Sequence, residues 1–408
     1  IGVEPDSTWL STRSALQVGG SGCIFGATSA GANGNMSIGQ NVYQHSGGSY
    51  RSIDEDEASL YAQANGVHTF SSTASVTDNA TISFTDVAKF DINSRISLSN
   101  NDAGSNNTVF GKLAGNALAS GGQHNLCFGE ESGHDITTGD NNVSVGSYSN
   151  DKVSTNGDNT AIGYEAHRGD GGQNTVVGSY AVDHESGQAD SIVAVGHQAM
   201  RGDLTSDADG TVAVGAFALT SLTSGAGNIA VGNFSGQYNE TGSQNTYVGY
   251  ASGLGVSGNS HGTNTAVGYF TLKDVTTGGA NTVIGAFAGD VATTQDSLTL
   301  VGKSAGSAIN HNDANGTVAV GASAFAALTS GAEGVALGYQ AGLALTTGDG
   351  NTIIGYDAFK SADGAEGSNV VVGKTAGQSM NHDSSHQNVI VGVGAMGGGT
   401  AQQNNNVA

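Results

Sequence analysis

Two tripeptides in this chain could do chemistry on a phosphate. Gly302-Lys303-Ser304 and Gly373-Lys374-Thr375 end as a phosphate loop ends, with a lysine for the charge and a hydroxyl for a magnesium ion. Such a loop also needs a glycine five residues before its Gly-Lys, where this chain has Ser297 and Ser368. It needs a helix behind it, too, and no helical pattern follows either tripeptide. Nucleotide binding is therefore not expected. Asp207-Ala208-Asp209-Gly210 and His311-Asn312-Asp313-Ala314-Asn315-Gly316 hold some oxygens of a calcium loop. Thr205 and His311 stand at ligand positions, and no acidic twelfth residue follows, so both segments read as turns. His261, His311, His382 and His386 fall in or near the longer loops; around a threefold axis, one histidine per chain could bind a metal. They are read instead as exposed loop histidines. No paired carboxylates stand out, and Ser, His and Asp are too common to specify a triad without geometry. The sequence thus assigns no catalytic, cofactor-binding or metal-binding residue, and no cofactor.

The elements that would have to position such groups are unusually regular. A repeat of the form [Thr/Val/Ile/Leu]-x-[Val/Ile/Leu/Phe]-Gly-x-x-[Ala/Ser/Thr] occurs seventeen times, anchored at Gly111, Gly129, Gly146, Gly163, Gly178, Gly196, Gly215, Gly232, Gly249, Gly268, Gly285, Gly302, Gly321, Gly338, Gly355, Gly373 and Gly392. Their spacing is 15 to 19 residues. A fixed short period means one unit stacked on itself. From Gly196 the spacings read 19, 17, 17, 19, 17, 17, 19, 17, 17, 18 and 19, so nearly every third coil carries an extra loop. Stacked as parallel strands, the copies would extend roughly 80 Å.

The residue before each glycine is large and apolar, the residue three before is Thr, Val, Ile or Leu, and the one between is usually small or apolar, as at Ala161, Ala194 and Ala213. A strand apolar on both faces is expected to be buried on both. The third residue after each glycine is always small (Ala114, Ser132, Ser149 and on to Ala395), which implies close approach of another backbone or another subunit. The glycine itself suggests a bend or a positive φ. Asparagine stands four residues before the glycine in twelve copies, including Asn125, Asn142, Asn245 and Asn369. It is either a ladder of amides along the stack or a turn residue chosen for left-handed φ. Val-Gly-x-x-Ala resembles the acyltransferase hexapeptide, but that fold needs three hexads per coil; Thr220 and Ala226, six and twelve residues after Val214, break the pattern.

Composition agrees with a rod rather than a globular enzyme: 66 Gly, one Pro and 12% charged residues in 408. The net charge of −23 argues against nucleic acid or an anionic membrane as partner. No apolar run is long enough to span a bilayer. Cys23 and Cys127 lie far apart, and no disulfide framework is expected. Residues 1–98 lie outside the repeat and read as a small all-β module, with a hairpin at Asn65-Gly66 between 58–64 and 67–71. Residues 99–408 are then a parallel β-solenoid of about 17–19 residues per coil, stopping in the opening of an eighteenth copy. With Ile1 in place of a methionine, a longer natural protein is expected.

Two families share these residues. Asn159-Thr160-Ala161-Ile162-Gly163-Tyr164-Glu165-Ala166 is similar to the head repeat of trimeric autotransporter adhesins, whose heads are left-handed parallel β-rolls. The run from Thr346-Thr347-Gly348-Asp349 to Gly355-Tyr356-Asp357-Ala358 resembles bacteriophage tail fibres and related virion proteins. Ala15-Leu16-Gln17-Val18-Gly19, Tyr61-Ala62-Gln63-Ala64-Asn65-Gly66 and Arg95-Ile96-Ser97-Leu98-Ser99 in the first module favour the phage family. That resemblance implies a homotrimeric, non-enzymatic fibre on the virion. It would be extracellular, joined to other tail or baseplate proteins, and would bind a host surface receptor, a glycan among the candidates. A bacterial trimeric adhesin head is the alternative. A glycan-degrading tailspike is a further one, and needs two carboxylates roughly 5–10 Å apart in a groove.

Overall fold

The computed structural model describes residues 13–18, 22–27, 36–45, 49–64, 67–90, 96–98, 106–183, 188–397 and 407. These are all-β, with two single 3-10 turns as their helical content. The chain forms two compact units that divide near Asp102.

The first unit holds a seven-stranded antiparallel sheet in the order β1-β2-β3-β6-β7-β9-β10: β1 (Arg13–Val18), β2 (Gly22–Ala27), β3 (Met36–Gln40), β6 (Asp56–Ala64), β7 (Val67–Val76), β9 (Thr85–Phe90) and β10 (Ile96–Leu98). A small sheet of β4 (Val42–Gln44), β5 (Tyr50–Ser52) and β8 (Thr81–Ile82) packs beside it. The expected hairpin forms, Ala64 pairing with Val67, though Asn65 and Gly66 themselves lie outside the described residues. The core is slight, built on Cys23, Val42, Ala58, Leu60 and Ile82. Asn41 reinforces it from a left-handed position (φ 55). Its amide donates to the carbonyls of Asp54 and Asp56 and accepts from the N–H groups of Ile53 and Asp54.

The second unit is the solenoid. Seventeen strands of three residues, β11 (Thr108–Phe110) to β27 (Val389–Val391), form one sheet in sequence order. From β12 (Leu126–Phe128) onward each pairs in parallel with the next at the same register, Leu126 on Val143, Val143 on Thr160, and so on. Val407 bridges in parallel to Val389 and extends the ladder by one residue. Turns complete each coil, and they too bond coil to coil: the N–H of Tyr148 donates to Glu130 O, and that of Asn150 to Ala166 O. The longer coils spend their extra residues as expected, two of them as the 3-10 turns Ser206–Ala208 and Asn312–Ala314.

Every anchoring glycine has φ between 122° and 144°. A Cβ on any of the first sixteen would lie 2.2–2.8 Å from the backbone of the next rung's glycine. Glycine is required here twice over, for the dihedral and for the approach. The asparagines form the ladder. Asn142 N–H and its side-chain amide both reach Asn125 Oδ1, at 2.9 and 3.1 Å, and Asn245 repeats this on Asn228. The same amides also donate across the coil to a later carbonyl, Asn281 to Gln295 O at 2.8 Å. The turn alternative fails, because the left-handed residue is the one before the asparagine: Asn141 (φ 60), Asp158 (φ 61), Gln173 (φ 60). Asn281→Ala should therefore strand the buried Gln295 carbonyl and the Leu298 N–H, which donates to Asn281 Oδ1. A loss of about 2–4 kcal/mol is expected, read as a lowered urea midpoint.

A second ladder escaped the sequence reading. Asp140, Asp190, Asp209, Asp296 and Asp349 each accept, through Oδ1, the N–H of a residue one coil earlier at 2.6–2.7 Å. These carboxylates make charge-assisted bonds to the stack, so part of the acidic surplus is structural.

Of the two readings of the small residue after the glycine, the structure fits close packing within the chain: in sixteen copies, from Ala114 to Ala376, it is buried inside its own coil. One expectation needs correction: the strands are not buried on both faces. The central residue of β12–β27 is buried in every case, while its two neighbours are half-buried or exposed. A single coil has only one interior, and among the described residues of the solenoid the outer strand positions stay half-buried or exposed.

Candidate functional site

The outer face of the long sheet runs along all seventeen strands of the solenoid, and the period-two alternation of three-residue strands creates it. With the central side chain inward, the first and third must point outward. Outward residues at the third position include Phe128 (51% exposed), Ile354 (37%) and Val391 (57%). Ile162, Val231, Ile284 and Val320 belong to the same column, and Ile229, Val370 and Val389 stand exposed in the first-position column. The result is an apolar strip along the whole stack.

Beside it runs an aromatic column, from residues one or two after the glycine. Tyr148, Tyr164, Tyr180, His197, Phe217, Phe234, Tyr250, Phe270 and Phe287 follow one another with ring centroids 5.3–6.2 Å apart. Tyr339 and Tyr356 stack in the same way at 5.2 Å, with the Lys374 ammonium over the Tyr356 ring. Each such pair adds about 0.5–1.5 kcal/mol beyond its buried area. Single exposed apolar side chains are ordinary; here an apolar column runs the length of the sheet, with an aromatic column beside it that is interrupted between Phe287 and Tyr339.

Charge is handled locally, rung to rung. Lys112 pairs with Glu130, Lys152 with Asp135, and Arg168 with both Asp151 and Asp183 in the coils on either side of it. Lys273 pairs with Asp274 beside it.

The motifs singled out from sequence resolve as frame. Lys303 and Lys374 follow their strands into ordinary coil turns, with no helix behind. Thr205 Oγ1 and His311 Nδ1 accept the N–H groups of Asp207 and Asp313, capping the two 3-10 turns. His382 Nδ1 accepts from Ser384 N–H and His386 Nδ1 from Gly367 N–H. None of the four histidines joins a cluster of metal-ligating groups among the described residues. Cys127 is a buried central strand residue, and Cys23 donates to Val42 O, its thiol pushed up to about 11 by burial; neither is in a disulfide.

His261 departs from the expected exposed loop histidine: it is 2% exposed, inside the stack. Its Nδ1 lies 2.6 Å from the hydroxyl of Tyr247, which donates to Asn245 Oδ1 at 2.8 Å. With that hydrogen committed, Nδ1–H donates to the tyrosine oxygen, and Nε2 is left as a buried acceptor without a partner. His167 is buried likewise, between Asn150 Oδ1 and the Asn174 amide. Burial holds both imidazoles neutral, pushed down to about 4. The unfolded chain therefore binds more protons below its own histidine pKa. Stability is fully present above roughly pH 6.5 and falls as pH drops toward 4, by about 3 kcal/mol for each histidine. Burial raises the carboxyls of Asp151 and Asp290, which acts in the opposite sense. Thermal melts from pH 7 to 4 should show this loss, and His261→Phe should flatten the slope.

Comparison with protein-family models, with curated proteins and with solved structures finds no match to this chain.

Proposed function

We propose that this protein is a structural fibre of a phage virion, a homotrimer that attaches the particle to its host. The observation that carries the reading is the partly exposed apolar face running the length of a seventeen-rung stack. A spacer built of identical rungs spans distance at low sequence complexity. Its outer strip, roughly 80 Å long and about 10 Å wide, offers on the order of 800 Å² per chain. That is the area each partner gives to a standard protein interface. Copies of one chain carry the same strip at the same rise, so they match along their whole length. The net charge of −23 keeps whole fibres apart while the strip joins chains within one. The repeat and the wording of the first module, which resemble phage tail fibres, supply the virion context and the number three.

Antibodies raised against the chain should place gold label on phage tails in electron micrographs. Label on bacterial envelopes instead would select the adhesin reading.

A further inference from the structure

Three carboxylates meet on consecutive coils near the end of the solenoid. Asp363 and Glu366 lie in the turns after β25 (Thr352–Ile354), and Asp383 in those after β26 (Val370–Val372). One carboxylate oxygen of each lies within 4.8 Å of the other two. Asp363 and Asp383 are exposed, but Glu366 is 0% exposed. One of its oxygens accepts the N–H of Gly364 at 3.0 Å; the other, Oε1, is buried with no hydrogen-bond partner. The Glu366 backbone is pinned by the asparagine ladder, Asn351 donating to its carbonyl at 2.8 Å. Gly364 makes room for the third group, since a Cβ there would lie 1.8 Å from Asp383 Oδ1.

We propose that Asp363, Glu366 and Asp383 bind one divalent cation of the calcium class per chain. A buried carboxylate oxygen with neither donor nor counter-charge is strongly disfavoured, and two further carboxylates so close make it more so. A cation among them supplies the missing partner. The donors are all hard oxygens, which select calcium or magnesium over softer metals. They come from two separate turns, with an exposed side where water completes the shell. That irregular set suits the flexible coordination of calcium better than the strict octahedron of magnesium. The ion would latch one coil to the next, bridging Glu366 to Asp383.

Calorimetric titration of the full chain, stripped with chelator and held at roughly 150 mM monovalent salt to screen the acidic surface, tests this. One saturable calcium site per chain is expected, with a raised melting temperature. Glu366→Gln and the exposed Asp383→Asn should each weaken it by at least about tenfold with unchanged circular dichroism. Gly364→Ala, which displaces the Asp383 carboxylate without altering a ligand, should weaken it as well. No saturable site in the unaltered chain, or calcium binding by Asp383→Asn equal to it, overturns the proposal. A Glu366→Gln chain that melts higher than the unaltered one, with no calcium effect on either, would show that a proton neutralises the glutamate instead.

Discussion

Gly321→Ala should break the stack at one rung and cost more than about 4 kcal/mol, among the largest losses a single methyl can produce. Two terms add. The glycine sits at φ +139, a conformation essentially closed to other residues, with a penalty of about 1–3 kcal/mol. The new Cβ would also lie 2.2 Å from Gly338 O and 2.5 Å from Gly338 C. Those are backbone atoms and cannot rotate away. Relief requires the two coils to part, at the expense of the Gly338 N–H bond to Val320 O and its neighbours. Because a stack of coils couples only nearest neighbours, the damage should stay local. Hydrogen exchange should speed up at β23 (Val318–Val320) and β24 (Val335–Leu337) while distant rungs stay protected. Gly316→Ala is the control. Gly316 is also left-handed (φ 76), but nothing lies within 4 Å of its would-be Cβ, so only the dihedral penalty of about 1–2 kcal/mol applies. Equal losses at the two sites would reduce the glycine column to turn chemistry.

That contrast explains why the solenoid was readable from sequence. The glycine column is forced by geometry that excludes every side chain, so it survives in all seventeen copies. The strand before it and the asparagine ladder repeat for the same reason, since each copy must match the one above it. What repeats less strictly was harder to read. The central strand residue ranges from Ala161 to Tyr247, yet it is the buried one. Its volume is balanced across coils rather than within one. Tyr247 lies against Gly236 and Gly253, where a Cβ would come within 3.0 and 2.5 Å of its ring. Leu300 is matched by Gly289 and Gly306 in the same way. A core packed to this density tolerates a tyrosine only where its neighbours give way. The partnership of His261 with Tyr247 was hidden because it crosses the interior of one coil between positions that the other copies fill differently, and the meeting of Asp363 and Glu366 with Asp383 because it joins two coils. The aspartate ladder was hidden differently: an aspartate beside a glycine or serine is also what a free turn would contain.

Ile284→Asp combined with Ile354→Asp should leave the solenoid folded and take the proposed trimer apart into single chains. Both side chains point outward from their strands, 39% and 37% exposed, so more than half of each is covered within one chain; losing both should cost about 2–4 kcal/mol, divided between two separate rungs of a seventeen-rung stack. In an assembly joined along the apolar strip each carboxylate would be desolvated against its own copies, in a particle whose chains already carry −23 apiece. Light scattering should report three 40.4 kDa chains per particle for the unaltered protein and one for the double variant, with the same circular dichroism. The companion change Ser206→Asp, on the 3-10 turn of a longer coil, adds charge away from the strip and should leave the mass unchanged. If the unaltered protein scatters as one chain, the trimer fails. If Ser206→Asp dissociates it as readily as the double variant does, the trimer stands but its seam is elsewhere. The strip's composition bears on this result: valine, isoleucine and threonine on the outer face favour the strand and pack rung against rung within one chain, each left half-buried or exposed. The proposed trimer would bury what that packing leaves exposed, and the double variant separates the two roles.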